Sequence, residues 1–195
     1  IEKPKIAKAL PRCLSKAQVE KLLLVSDTYE WNSRIAEKRN RAIIRTFLFT
    51  GIRLSELLHL KTQEVNFEER EIFIKEGKGR KDRIVPIHTE LYPYLKSYHN
   101  LKKIPTEYFF PSLRSDKPLT EKNLYAIINQ LKKTSGFYFS PHMLRHTMGK
   151  MAIEANLNPF ILKVIMGHAD IARTQIYVSV SSRSIKENFL GLMLV

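Results

Sequence analysis

The sequence predicts an α+β domain, mostly α-helical with a small antiparallel β-sheet. Three observations carry that expectation. Apolar residues recur at helical spacing through most of the chain. The period drops to two in one stretch, between Asn66 and Ile87. Capping residues and glycines punctuate the helical segments at both ends.

Taken in order, Ser15 and Gln18 stand three apart as a capping box. A first helix is therefore expected there, burying Val19, Leu22 and Leu23. A second is expected from about Ser33 to Thr50, stopped by Gly51, and a short one from Leu54 to Leu60. Within the stretch of period two, Ile72 and Ile74 alternate with charged residues, and Ile84, Pro86 and their neighbours form a second run. The segment Glu76-Gly77-Lys78-Gly79-Arg80 between them predicts a hairpin with a basic tip. Helices are expected again over Thr89–Leu101 and Thr120–Lys133, the latter with Leu124, Ile127, Ile128 and Leu131 on one stripe. Ser140-Pro141 is an N-cap followed by proline, opening a helix through about Ala155, and Asn158-Pro159 opens another that ends at Gly167. Residues 1–12 are basic, contain two prolines and lack periodicity, as expected of a linker from a preceding domain. At the other end, Ser184 and Glu187 form a capping box for a tail helix over about 184–194. Its apolar stripe would be Ile185, Phe189, Leu192 and Met193.

Composition narrows the function. A chain of 195 residues can bury a sizeable core, and no apolar run approaches the ~20 residues of a membrane span. Cys13 is the single cysteine, so an internal disulfide or a cysteine zinc site is excluded and a cytoplasmic setting fits. Lys and Arg outnumber Asp and Glu by 33 to 19, a net charge of +14. That excess favours a polyanionic partner, nucleic acid above all.

Five short segments concentrate side chains suited to phosphate chemistry: Thr50-Gly51-Ile52-Arg53-Leu54-Ser55-Glu56-Leu57, Gly77 to Arg83, His142-Met143-Leu144-Arg145-His146, Gly167-His168, and Tyr177 nine residues later. In the third, spacings of three and four put His142, Arg145 and His146 on one helical face. Each segment has an ordinary structural explanation. Arg53 could simply pair with Glu56 on a surface, the basic run could be a solvated turn, and most tyrosines pack.

In this order the set resembles the tyrosine recombinases, particularly their Xer-like and phage-integrase members. The wording TGIRLSEL, GKGRKDRIVPI, HMLRH, GH and TQIY spans essentially the whole chain. Departures are Ser179, where many relatives have histidine, and Met148-Gly149, where they have bulkier residues. The resemblance implies a tyrosine recombinase catalytic-domain fold over 13–195, following a linker from an N-terminal core-binding domain. It implies cleavage and religation of double-stranded DNA at a specific site through a 3′-phosphotyrosyl bond to Tyr177. It also implies a homotetramer on DNA, or a heterotetramer with a related recombinase, with the tail docking into a neighbouring protomer. The bland reading of the tail stripe is packing on its own domain.

Elementary chemistry agrees with the roles so implied. Arg53 and Arg145 would hold the non-bridging oxygens with bidentate charge-assisted bonds. A phenol with pKa near 10 is ionised to roughly one part in a thousand at pH 7, so Tyr177 needs a base, the part given to His142. His168 would bond the phosphate, and Lys78 would protonate the leaving 5′ oxygen, with Lys81 as its rival. Glu56, one turn after Arg53, would orient the groups that touch the phosphate. The acids Glu56, Asp82 and Asp170 are scattered, whereas a two-metal nuclease clusters its carboxylates, so neither metal nor cofactor is expected. Two competing functions are a type IB topoisomerase, with nearly the same chemistry on one duplex, and a DNA-binding module without catalysis.

Overall fold

The structure, a computed structural model, describes residues 12–75, 82–103, 105–167 and 189–190. Its seven helices in this region are α1 (Lys16–Thr28), α2 (Arg34–Thr50), α3 (Leu54–His59), α4 (Tyr92–Leu101), α5 (Glu121–Ser135), α6 (Pro141–Glu154) and α7 (Pro159–Met166). Three short strands, β1 (Val65–Asn66), β2 (Glu71–Ile74) and β3 (Arg83–Pro86), form an antiparallel sheet in sequence order. The expected architecture is therefore present, with β1 as a strand the alternation had not marked.

The caps explain where the helices begin. Ser15 accepts from the Gln18 N–H at 3.2 Å while the Gln18 side chain accepts from the Ser15 N–H at 2.9 Å. Ser33, Thr120 and Ser140 accept in the same way from residues three further on. Asn158 caps α7 through the Phe160 N–H. Each removes one of the donors that a helix N-terminus leaves unpaired.

Helix α2 is the axis of the domain. Ala42, Ile43, Ile44, Phe47 and Leu48 are wholly buried, and α1, α4 and α6 all pack on it. Its second half, residues 42–50, is buried on every side, so the polar residues there must find partners inside the protein. Thr46 and Thr50 return their hydroxyls to the carbonyls of Ala42 and Thr46. Buried Arg45 is held by Ser26 and Asp27 and lies 3.6 Å from the centre of the Tyr94 ring.

Some details depart from the sequence pattern. Leu23 is half-buried rather than buried. Helix α4 begins at Tyr92 because residues 88–91 form a turn, in which Leu91 and Tyr92 donate to the His88 carbonyl. In β3 the inward positions are Arg83 and Val85, paired across the ladder with buried Ile74 and Ile72; Ile84 faces exposed Phe73 on the outer side. The apolar alternation had marked Ile84 and missed the arginine. Of the expected tail stripe, Phe189 is fully buried, its ring edge-on to His88 within the same chain; Ser184, Ile185, Glu187, Leu192 and Met193 lie outside the described residues.

Candidate active site

Three guanidiniums meet at the C-terminal end of α7. That helix leaves the carbonyls of Ile165, Met166 and Gly167 without partners of its own, as helix ends do. Arg83 Nε donates to Ile165 O at 2.8 Å, Arg145 Nη2 to Met166 O at 2.6 Å, and Arg53 Nη2 to Gly167 O. The negative end of a helix dipole suits cations, and here one arginine takes each carbonyl in turn.

Each arginine arrives by a different local route. Gly51 ends α2 in the left-handed conformation, φ 61°, which a side chain adopts only with strain. The turn it makes is pinned by the Ile52 N–H donating to Thr50 Oγ1 at 3.1 Å. Arg53 then becomes the N-cap residue of α3, and the Gly51 carbonyl receives Arg145 Nη1. Helix α6 supplies Arg145, 7% exposed, and strand β3 supplies Arg83, 6% exposed. Gly149 matters to the approach of α6 and α7, since a Cβ there would lie 3.3 Å from Met166 Sδ.

Glu56 brings a carboxylate to this cluster. Its Oε1 accepts from Arg53 Nη1 at 2.6 Å and Arg83 Nη1 at 3.0 Å. Its Oε2 accepts from Arg83 Nη2 at 2.7 Å and the Arg53 N–H at 2.8 Å. Burial by itself would raise the acid's pKa. The hydrogen bonds and charge of Arg83, with those of Arg53, outweigh it and hold Glu56 at about 2.

His142 and His146 lie one turn apart on α6, with Nε2 atoms 2.8 Å from each other and rings nearly perpendicular. Burial, then the neighbouring charges of His142 and Arg145, lowers the pKa of His146. The expected single face is divided: His142 is exposed while Arg145 turns inward.

Of the six residues expected to act, the structure brings Arg53 and Arg145 together on adjacent carbonyls and places His142 on the helix of Arg145. Lys78, His168 and Tyr177 lie outside the described residues, as does Lys81. Arg83 was not singled out from the sequence. Its signal was parity: it shares the inward phase of Val85 and Ile87.

This fold is the one shared by the catalytic domains of the tyrosine recombinase class. The chain belongs to the phage integrase family, whose model matches residues 12–183. It is 31% identical over 189 residues to tyrosine recombinase XerA of Pyrococcus horikoshii, covering 96% of this chain and 63% of that protein. Among solved structures it is similar to XerA recombinase, with a TM-score of 0.73 and 29% identity over 93% of this chain and 65% of that one. It is also similar to the XerH site-specific recombinase bound to difH substrate in a pre-cleavage complex. There the TM-score is 0.71 and the identity 28%, over 87% of this chain and 50% of that one. The chain thus spans less than two thirds of the length of these relatives.

Proposed function

We propose that this chain is the catalytic domain of a site-specific DNA recombinase that cleaves and rejoins strands through a 3′-phosphotyrosyl bond to Tyr177. The observation that carries the reading is the convergence of Arg53 and Arg145 on neighbouring carbonyls, immediately before His168 in the sequence. Two preorganised guanidiniums favour the charge that builds on a phosphodiester under attack, more than they favour its ground state.

In this mechanism Arg53 and Arg145 hold the non-bridging oxygens and His168 adds a further bond. His142 takes the Tyr177 proton as its oxygen attacks phosphorus. Lys78 gives a proton to the departing 5′ oxygen. Religation reverses these transfers with the 5′ hydroxyl of an exchanged strand, so the phosphodiester energy is conserved in the covalent bond. No metal or cofactor enters the scheme. The reading extends to a linker at residues 1–12, a core-binding domain before it, and a tetramer on two DNA sites. Among the described residues no helix is long and apolar enough to cross a membrane. The type IB topoisomerase reading is not favoured, since the relatives named above are recombinases.

Tyr177→Phe tests the proposal with a nicked duplex carrying a site selected by this protein from a random-sequence library. The variant should bind that duplex as wild type does and form no denaturant-resistant adduct. Wild type should form the adduct in excess EDTA. A normal adduct yield from Tyr177→Phe would remove the central claim.

A further inference from the structure

We propose that Arg83 is a positioning residue for strand cleavage, locking the Glu56 carboxylate and the end of α7 into one frame. The inference rests on reading Arg53 and Arg145 as phosphate-holding groups, and adds a residue that acts through them.

The geometry is a closed ring. Arg53 binds Glu56, both Glu56 oxygens take the Arg83 fork, and Arg83 Nε holds Ile165 O. Two residues later the Gly167 carbonyl returns to Arg53. The ring joins three segments: the start of α3, the strand that follows Lys78 in the sequence, and the helix end that precedes His168. Moving any one of them strains the other two.

Stability alone does not account for an arginine here. Its side chain is 4% exposed, on a strand face otherwise filled by Val85, Ile72 and Ile74. A well-packed apolar residue often serves a buried site as well as an ion pair does, because desolvating two charges offsets their attraction. What an apolar residue cannot supply is a planar fork that fixes a carboxylate in two dimensions. Glu56 so fixed presents one oxygen to the Arg53 side chain and the other to its backbone N–H, leaving Arg53 little rotational freedom.

The experiment uses the same selected, nicked duplex. Kd, the single-turnover rate of adduct formation from pH 5 to 8, and thermal unfolding are measured for wild type, Arg83→Met and Arg83→Lys. The charged groups facing Glu56 among the described residues are Arg53 and Arg83. Without Arg83 the carboxylate is harder to keep ionised, so the rate profile of Arg83→Met should gain an acid limb inside this range. Its rate at pH 8 should fall about a hundredfold with Kd almost unchanged, the size of effect that slight misplacement of reacting groups produces. Arg83→Lys restores the charge without the fork; it should lose the acid limb and recover only part of the rate. A purely structural role would raise Kd and lower the rate and the unfolding temperature together, with no change in the shape of the pH profile, and that result would overturn the proposal. If Arg83→Met does not fold, Arg83→Lys decides, since a wild-type rate in it would show that the fork positions nothing. A wild type that forms no adduct would instead overturn the recombinase reading, and this inference with it.

Discussion

Arg53 and Arg145 end on neighbouring carbonyls of the same helix terminus, yet the protein prepares them by different means. Arg53, with its side chain 22% exposed, is set by a carboxylate that it shares with Arg83. Arg145 is buried and donates to two backbone oxygens, Gly51 O and Met166 O. A carboxylate can be mutated or protonated; a carbonyl can only be moved by changing the path of the chain. Of these contacts, those of Arg53 with Glu56 are therefore sensitive to side chains and pH, and those of Arg145 with the two carbonyls to backbone conformation.

The strongest way to break the contrast is Glu56→Gln. Losing the charge leaves two poorly solvated guanidiniums against a neutral amide, and breaking a buried pair from one side costs about 3–5 kcal/mol. Denaturant unfolding should show that loss, and removal of a carbonyl partner from Arg145 has no side-chain counterpart. A loss below about 1 kcal/mol would mean that Arg53 does not depend on Glu56 as the geometry requires.

Acid sharpens the same point. Glu56 is depressed to about 2 in the folded protein, so its contribution is fully present above the ordinary carboxylate range and declines as pH falls through 4 toward 2. The size is on the order of 3 kcal/mol. The stability difference between wild type and Glu56→Gln should shrink across that window. A difference constant from pH 6 to 2 would show that protonation of Glu56 is not what is being lost.

The smallest effect belongs to the contacts of Arg145 with the carbonyls. In Gly51→Ala a side chain must adopt φ near 61°, and its Cβ would stand 3.3 Å from Met148 Sδ. The left-handed conformation alone costs about 1–2 kcal/mol. Because the turn aims a carbonyl at Arg145 without any titrating group, the loss should be independent of pH between 2 and 6. A pH-dependent loss would mean that the two sets of contacts are coupled more tightly than their separate partners imply.

Much of this protein was determined by the sequence alone. Local rules act over three or four residues, so Ser15, Ser33, Thr120, Ser140 and Asn158 each name a helix start without reference to the rest of the fold. Gly51 and Gly167 likewise announce the ends of α2 and α7, because few residues other than glycine accept a positive φ. The spaced motif segments made Arg53, His142 and Arg145 candidates by residue type and order, and the family match over 12–183 bears out the class. Tertiary structure decided what those residues face. Spacing on α6 grouped His142, Arg145 and His146, but the packing of α6 on α2 and α7 turned Arg145 inward and left His142 in solvent. Arg83 read as the end of a basic turn until pairing with Ile74 set it on the buried side of the sheet. Its partners, Glu56 and Ile165, lie 27 and 82 residues away. No local rule reaches that far, because the energy that places those groups comes from closing a core around α2 and not from the segments themselves.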